Sequence, residues 1–407
     1  MLDYNTVLII GGGIAGHHAA RELRKEGFDG NITILEEEAE VPYDRPPLSK
    51  EYLAGEQEER DFTLFSREDY EKLSVTLESG TAVKGIYPKD RKVKAADDRF
   101  FSYSHLILAT GSSLRKLFVD GHHLDGIHYL KSLADARKLK ESLQKIKRIA
   151  IIGAGFIGLE AAAVCREKGI EVSVIETGEL PMSRLFGREV GQYLYDIHTQ
   201  KGVKFLTNDS VSSFEGNGKV EKIRTQNGKV VLCDAVIIGI GVKPNTTISH
   251  PDLLVNKGYV IDEYGRTTLP HVYAAGDCAE WPYQNKSIVV SHWDNAMNQG
   301  KFIAKKIVHN HSEPYRTVPF FWSNQYDQQF QFVGLPLPDA NIVFRGSSDD
   351  GAFSRFYIDH NQMIHGALMV NEPKNVVPSR KLIQKQHPMN IKQLSDPSIP
   401  LKKVQPL

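Results

Sequence analysis

Cysteine is scarce in this sequence, which has three in 407 residues: Cys165, Cys233 and Cys278. They are widely spaced, and no Cys-x-x-Cys or Cys-x4-Cys pair occurs. An enzyme that reduces disulfides with its own thiols needs two of them close together, so this class is excluded. Because each cysteine lies in or beside an apolar segment, we expect three buried, reduced thiols.

An excess of charge of either sign is also missing, since Lys and Arg total 50 and Asp and Glu total 50. A balanced charge gives no support to a role on nucleic acid or on membrane surfaces. No apolar run approaches the roughly 18 residues that cross a bilayer, and a strand beginning near Thr6 leaves no room for a targeting peptide. We therefore expect a cytoplasmic protein, and its 407 residues suit two or three domains.

Clusters of metal ligands are absent from the sequence as well. The 15 histidines are scattered along the chain. Two adjacent pairs, His17-His18 and His122-His123, carry side chains that diverge rather than converge on one ion. We expect no metal site.

Glycine, in contrast, occurs in two matching fingerprints, Gly11-x-Gly13-x-x-Gly16 and Gly153-x-Gly155-x-x-Gly158. The first glycine permits a tight strand-to-helix turn, the second leaves room for a pyrophosphate, and the third lets the helix pack closely on the strand. The helix N-terminus then faces the phosphates with N–H groups and the positive end of its dipole. One fingerprint alone is weak evidence, because glycine-rich turns are common.

Both fingerprints lie in complete βαβ units. A strand precedes the glycines, a helix follows, and a second strand ends at a glutamate that can accept hydrogen bonds from ribose hydroxyls. The predicted strands and glutamates are Thr6–Ile10, Asn31–Leu35 and Glu36 in the first unit, and Arg148–Ile152, Glu171–Ile175 and Glu176 in the second. The sequence therefore predicts binding of two dinucleotides.

Glu176 also favours NADH over NADPH. Its charge would repel a 2′-phosphate, and the following Thr177-Gly178-Glu179 contains no arginine to receive one.

Two further strands end in small residues, at Ala109-Thr110-Gly111 and at Gly276-Asp277. Small residues let a bound ligand approach the backbone closely. Asp277 has two interpretations: its carboxylate binds a ribityl or ribose hydroxyl, or it caps the next helix.

The pattern changes after a predicted helix from about Asn295 to His309. Short alternating strands follow, which predict an antiparallel sheet. These strands and a final helix are Gln329–Val333, Asn341–Arg345, Ala352–Ile358, Met363–Val370 and Ser379–Gln386. We divide the chain into four segments, residues 1–112, 113–241, 242–318 and 319–407.

Several longer segments accompany the fingerprints: Tyr43-Asp44-Arg45-Pro46-Pro47-Leu48-Ser49-Lys50, Gly239-Ile240-Gly241-Val242-Lys243-Pro244-Asn245, Ala275-Gly276-Asp277-Cys278-Ala279 and Phe320-Phe321-Trp322-Ser323-Asn324-Gln325-Tyr326. Together they resemble the FAD-dependent, NAD(P)H-using ferredoxin reductases of the putidaredoxin and rubredoxin reductase type. The Arg-Pro-Pro-Leu-Ser-Lys and Phe-Trp-Ser stretches distinguish this family from the wider glutathione-reductase-like superfamily.

The resemblance implies an α/β fold with two Rossmann-like dinucleotide-binding domains and a C-terminal α+β domain with an antiparallel sheet. Residues 1–112 and 242–318 would form the FAD domain, residues 113–241 the NAD domain and residues 319–407 an interface domain. In this family the FAD lies on the first fingerprint, with Val83 near the adenine and Trp293 beside the ring system.

By resemblance and motif together, the expected cofactor-binding residues are Gly11, Gly13, Ile14, Ala15, Gly16, Glu36, Arg45, Lys50, Val83, Ala109, Thr110, Gly111, Lys131, Gly153, Gly155, Phe156, Ile157, Gly158, Glu160, Glu176, Gly241, Gly276, Asp277, Trp293 and Trp322. Lys131 departs from the family pattern, where an arginine is common. A lysine supplies a point charge but no bidentate fork.

The resemblance also implies a reaction. NADH passes a hydride to the FAD, which then releases single electrons to a [2Fe–2S] ferredoxin or a rubredoxin. We predict that Lys50 and Glu160 are the catalytic residues, as an ion pair near the flavin, because an unpaired lysine in an apolar cleft is costly. Phe156 would cover the nicotinamide side of the flavin, or else is a core aromatic.

Other functions remain open from the sequence. The chain could be a rubredoxin reductase, a monodehydroascorbate-type reductase, an NADH oxidase, or an apoptosis-inducing-factor-like protein whose redox state controls an interaction. Trp322 is either a contact for the redox partner or a core residue. Lys301, Lys305 and Lys306 form either a docking patch for an acidic partner or a solvated helix face. The oligomeric state does not follow from the sequence.

Overall fold

The computed structural model describes residues 5–310, 313–335 and 340–407. The strands, in chain order, are β1 Thr6–Ile10, β2 Asn31–Glu36, β3 Val75–Ser79, β4 Val83–Tyr87, β5 Lys92–Ala95, β6 Phe100–Ser102, β7 His105–Leu108, β8 Ser112–Leu114, β9 Ile127–His128, β10 Arg148–Ile152, β11 Glu171–Ile175, β12 Lys204–Leu206, β13 Val211–Glu215, β14 Lys222–Thr225, β15 Val230–Leu232, β16 Ala235–Ile238, β17 Val242–Pro244, β18 Tyr259–Val260, β19 Val272–Ala274, β20 Ala279–Tyr283, β21 Lys286–Val289, β22 Phe320–Gln325, β23 Gln328–Gly334, β24 Asn341–Arg345, β25 Phe353–Ile358 and β26 Ile364–Val370. The α-helices are α1 Ile14–Lys25, α2 Glu51–Ala54, α3 Arg67–Lys72, α4 Leu133–Leu143, α5 Phe156–Glu167, α6 Ser183–Phe186, α7 Arg188–Gln200, α8 Trp293–His309, α9 Val376–Lys385 and α10 Ile391–Ser395.

Backbone contacts divide the chain into two compact units. The first unit comprises Met1–Asp44, Glu59–Ser113 and Val242–Pro319, and the second comprises Arg45–Glu58, Leu114–Gly241 and Phe320–Leu407. The boundaries of the four segments expected from the sequence stay a prediction.

The first unit contains a parallel sheet in the order β19-β7-β1-β2-β3. In its central strand β1, residues 7–10 are apolar and buried, as expected of a strand that is covered on both faces. Helices α1 and α8 pack closely in this unit: a Cβ on Gly300 would lie 2.2 Å from the carbonyl oxygen of Ala15. Only glycine at position 300 permits this approach.

The second unit repeats the plan. Its parallel sheet has the order β12-β11-β10-β16-β9, and a three-stranded antiparallel sheet β13-β14-β15 adds to it. Strand β10 occupies the place that β1 has in the first unit, between the second strand of its βαβ unit and a strand from later in the chain. An apolar core that includes Ile152, Phe214 and Ile238 packs against this sheet.

The second unit also holds a five-stranded antiparallel sheet in the order β22-β23-β26-β25-β24. For four of its strands, the observed ends differ from the predicted ends by no more than two residues. Strand β22, Phe320–Gln325, was not predicted as a strand. Helix α9 begins at Val376, three residues before the expected start, because Pro378 is tolerated in the first turn, where its missing N–H has no partner in the helix. The predicted α/β fold with two Rossmann-like units and a C-terminal antiparallel sheet is confirmed.

All three cysteines are buried and free, as expected. Burial raises the pKa of the Cys165 and Cys233 thiols to about 12, and it also raises the pKa of Cys278. These thiols are therefore protonated and unreactive at neutral pH. Within the described part of the chain, no helix has both the length and the apolar character needed to cross a membrane.

Candidate functional site

The first fingerprint forms a tight loop between β1 and α1. Gly11 has a φ of +102°, and a Cβ on it would lie 2.2 Å from the carbonyl oxygen of Ala109. A Cβ on Gly16 would lie 1.9 Å from the carbonyl oxygen of Gly11. Both positions therefore require glycine, for the turn in one case and for helix packing in the other.

The start of α1 is open to an anion. Its N-cap is Gly13, so no side chain caps the helix, and a Cβ on Gly13 would meet no atom within 4 Å. The first-turn N–H groups and the helix dipole are thus available to a phosphate. This arrangement fits the pyrophosphate of FAD.

Glu36, at the end of β2, is fixed by backbone hydrogen bonds. Its Oε2 accepts from the N–H of Gly12, and its Oε1 accepts from the N–H of Glu38 at 2.9 Å. A carboxylate oxygen can accept more than one hydrogen bond, so the group keeps lone pairs for ribose hydroxyls. The sequence predicted the position of the carboxylate but not the N–H groups that orient it.

Other expected FAD residues of the first unit lie at strand ends. Thr110 Oγ1 donates to the carbonyl oxygen of Asn245 at 2.6 Å. Ser112 Oγ donates to Asp277 Oδ2 at 2.8 Å. Asp277 belongs to a short 3₁₀ helix, whereas α8 has His292 as its N-cap, so the helix-cap interpretation of Asp277 is wrong.

Ala15 and Trp293 are held by neighbours within the same unit. A Cβ on Gly276 would lie 3.1 Å from the Cβ of Ala15, so these two positions are in close contact. The indole Nε1 of Trp293 donates to Asp44 Oδ1. Val83 opens β4, which belongs to the separate antiparallel sheet β4-β5-β6 rather than to the parallel sheet.

The second fingerprint has the same construction in the second unit. Gly153 has a φ of +97°, and a Cβ on it would lie 2.6 Å from the carbonyl oxygen of Gly239. A Cβ on Gly158 would lie 2.2 Å from the carbonyl oxygen of Gly153. Helix α5 follows an N-cap glycine, Gly155, with no capping side chain. The loop therefore suits a second pyrophosphate.

Glu176 repeats the arrangement of Glu36. Its Oε2 accepts from the N–H of Ala154 at 2.8 Å, and its Oε1 accepts from the N–H of Gly178 at 2.7 Å. Thr177 Oγ1 also donates to Oε1, at 3.1 Å. The charge is therefore fixed beside the second fingerprint, where a ribose is expected.

Lys50 and Glu160 form the predicted ion pair in the second unit. Lys50 Nζ lies 3.2 Å from Glu160 Oε2, and their side chains are 12% and 3% exposed. Ser49 Oγ donates to the same oxygen at 2.6 Å, and Ser323 Oγ donates to Oε1 at 2.6 Å. The carboxylate is thus fully hydrogen-bonded, as a buried charge requires. The two serines were not predicted, because contacts between residues more than 100 positions apart leave no local pattern.

Phe156 and Trp322 lie among aromatic neighbours. The ring of half-buried Phe156 is 4.9 Å from that of Phe321 and 5.8 Å from that of Phe186, centroid to centroid. Trp322 is half-buried and stacks on Phe320 at 6.0 Å. Ile157, next to Phe156, is 44% exposed.

Three further expected residues have defined contacts or backbone geometry. Arg45 Nη1 donates to the carbonyl oxygen of Lys131 at 2.9 Å, and the N–H of Lys131 donates to Asp135 Oδ2 at 3.2 Å. Gly241 has a φ of +94°, which favours glycine.

Two of the three lysines considered as a docking patch have partners within the first unit. Lys305 Nζ lies 3.5 Å from Glu22 Oε1, and Lys306 Nζ lies 4.9 Å from the ring centroid of Tyr264. These contacts favour the interpretation of the three lysines as part of a helix face.

Comparison with known families gives a match over most of the chain. Residues 5–300 match the pyridine nucleotide-disulphide oxidoreductase family, and residues 320–405 match the reductase C-terminal domain. The chain belongs to the pyridine nucleotide-disulphide oxidoreductase family. It is accordingly an oxidoreductase with FAD and NAD(H) as its cofactors.

The relatives match over most of their own length. The chain is 37% identical to rhodocoxin reductase of Rhodococcus erythropolis, over 98% of this chain and 93% of that protein. It is 34% identical to the ferredoxin–NAD(+) reductase component of the p-cumate 2,3-dioxygenase system of Pseudomonas putida, over 98% of each chain. Among solved structures, the covalent putidaredoxin reductase–putidaredoxin complex matches with a TM-score of 0.94 and 32% identity, over 98% of this chain and 97% of that one.

Proposed function

We propose that this chain is an NADH-dependent reductase that delivers electrons one at a time to a [2Fe–2S] ferredoxin, which in turn supplies an oxygenase. The resemblance seen in the sequence and the names of the relatives both support this proposal. The cytoplasmic location expected from the sequence remains part of the same proposal.

One observation carries the proposal: the chain has two complete dinucleotide loops but no pair of reactive thiols. Each loop has its three glycines, an uncapped helix start and an oriented glutamate. The three cysteines are all buried and free, and burial raises their pKa values. Electrons that reach the flavin therefore cannot pass to a disulfide of this chain and must leave to a separate acceptor.

The residues of the chain bind and position the cofactors rather than act as acid or nucleophile. When bound, FAD supplies the conversion of a two-electron hydride into single electrons. Gly11, Gly13 and Gly16 would hold its pyrophosphate, and Glu36 its ribose. Lys50, whose Nζ lies 3.2 Å from Glu160 Oε2, is the cation that we assign to the flavin, where it would stabilise the negative charge that the hydride brings.

The test is a comparison of acceptors with the purified yellow protein. After anaerobic reduction by NADH, the protein is mixed in a stopped-flow instrument with a [2Fe–2S] ferredoxin, a rubredoxin or oxidised glutathione. We expect fast reoxidation by the ferredoxin and none by oxidised glutathione. If only the rubredoxin reoxidises the protein quickly, the proposed acceptor is wrong and a rubredoxin takes its place. If NADH does not reduce the flavin, the proposal as a whole is overturned.

A further inference from the structure

A row of buried polar side chains leads away from Glu160 within the second unit. Ser323 Oγ, which donates to Glu160, accepts from the amide Nε2 of Gln325 at 3.1 Å. Gln325 Oε1 lies 2.9 Å from His198 Nε2, and the hydroxyl of Tyr326 lies 3.2 Å from His198 Nδ1. His198 comes from α7, whereas Ser323 and Gln325 lie on β22.

The donors and acceptors in this row can be arranged in only one direction. The Glu160 carboxylate accepts, so the Ser323 hydroxyl donates to it and receives the Gln325 amide N–H. The Gln325 carbonyl oxygen then needs a donor, which is the Nε2–H of His198. His198 is thus the neutral Nε2–H tautomer, and its Nδ1 accepts from the Tyr326 hydroxyl.

The row is buried from Glu160 to His198, and Tyr326 at its end is half-buried. His198 and Ser323 are 0% exposed, Gln325 is 1% exposed and Glu160 is 2% exposed. Burial lowers the pKa of His198 to about 4, so the imidazole is neutral at physiological pH. Buried polar groups are costly unless every one is bonded, and here each has its partner. Apolar side chains at these positions could pack equally well without the cost of desolvating polar groups. The row therefore indicates a role other than packing.

We propose that His198 and Gln325 are positioning residues that orient the Glu160 carboxylate through Ser323 and so hold the Lys50–Glu160 pair in its working geometry. Because the Gln325 amide donates its N–H to Ser323 Oγ, the hydroxyl proton of Ser323 has one favourable direction, toward Glu160. His198 in turn fixes the amide, because a free carboxamide could turn its N–H groups away. The inference rests on the proposed function, since it assigns these residues to the same reductase reaction.

The first test separates positioning from packing by a double-mutant cycle. The limiting rate of flavin reduction by NADH is measured for His198→Phe, for Ser323→Ala and for the double variant. We expect each single change to lower the rate about tenfold, with little change in the NADH dissociation constant. The double variant should be no slower than Ser323→Ala, because the two residues act along one path. Rate losses that multiply would overturn the proposal.

Conservative and matched variants complete this test. His198→Gln places an N–H donor near the position of Nε2 and should restore the rate to within about threefold of the parent. Thr199→Ala, on the exposed side of the same helix, should leave the rate unchanged. If His198→Phe does not fold, Gln325→Met replaces it, since the methionine side chain has similar length but no N–H group to donate to Ser323 and only a weakly accepting sulfur for His198. A parent protein that NADH does not reduce would instead contradict the proposed function.

The second test does not depend on activity. In protein labelled with 15N-histidine, the resonances of His198, identified by their loss in His198→Gln, report its tautomer and charge. We expect a neutral Nε2–H ring between pH 6 and 8, whether or not NADH is present. An Nδ1–H ring would reverse the hydrogen-bond direction and overturn the proposal. In the first test, equal reduction rates in the parent and in both His198→Phe and Gln325→Met would also overturn it.

Discussion

At the scale of single residues, the Lys50 ammonium has its charged partner in a carboxylate that is itself almost fully buried. We expect Lys50→Met to slow flavin reduction by NADH about tenfold to a hundredfold, because the change removes the cation and leaves Glu160 with neutral partners only. Stopped-flow measurement of the flavin absorbance checks this expectation. Lys72→Met, at a side chain that is 76% exposed, is the matched control. An unchanged rate in Lys50→Met would remove Lys50 from the mechanism.

Glu176 leads to a prediction about coenzyme choice. Its carboxylate is fixed by the N–H groups of Ala154 and Gly178, so it cannot easily turn away from a 2′-phosphate. We expect kcat/KM for NADH to exceed kcat/KM for NADPH about tenfold or more. In Glu176→Gln, the ratio of these two values should be smaller. Glu179→Gln, at a side chain that is 59% exposed, serves as the control. A preference of the parent protein for NADPH would show that the ribose assignment is wrong.

Residues whose roles follow from the local sequence were predictable, and residues whose roles depend on distant contacts were not. Gly11, Gly16 and Glu36 belong to one βαβ unit, so their spacing and the strands and helix around them predicted the tight loop and the adjacent carboxylate that the structure shows. Ser49 and Ser323 reach Glu160 from 111 and 163 positions away. His198 carried no motif at all, and only the folded chain brings it to Gln325.

At the scale of elements, the contact between α1 and α8 depends on one glycine. We expect Gly300→Ala to lower the free energy of unfolding of the FAD-loaded protein by about 1–3 kcal/mol, even though alanine is the better helix former. The reason is that its Cβ would meet the backbone of Ala15 at 2.2 Å. Urea unfolding measures the effect, and Gly85→Ala, whose Cβ would have its nearest neighbour at 3.7 Å, is the control. Equal or greater stability of Gly300→Ala would contradict this account of the helix contact.

Strand β22 shows why one element of the fold was not predicted. Strands are recognised by apolar residues on alternate positions, but the buried positions here include Ser323 and Gln325. These polar side chains face inward because they bond to Glu160 and His198. By contrast, every buried position of β10 and β11 is apolar, and the structure has both strands at their predicted bounds.

At the scale of the whole molecule, buried histidines predict sensitivity to acid. Burial, the largest cause, lowers the pKa of His17 to about 3 and that of His198 to about 4. An unfolded histidine takes up a proton near pH 6.5, whereas these two cannot while the chain is folded. The stability they contribute is therefore complete above pH 6.5 and is lost as the pH falls toward their folded pKa values.

The corresponding measurement is the free energy of unfolding between pH 7 and 5. Each buried histidine adds a slope of up to about 1.4 kcal/mol per pH unit in the lower part of that range. His198→Gln removes one titrating group and should reduce the slope. A stability that does not change between pH 7 and 5 would contradict the burial of neutral histidines.

The central claim is that two electrons enter this protein together from NADH and leave one at a time. The most direct measurement is an anaerobic titration with NADH. The cuvette holds a catalytic amount of this protein and an excess of oxidised [2Fe–2S] ferredoxin, and the visible absorbance of the ferredoxin reports its reduction. A two-electron donor feeding a one-electron acceptor predicts two ferredoxins reduced for every NADH consumed. Consumption of NADH without reduction of the ferredoxin would contradict the account.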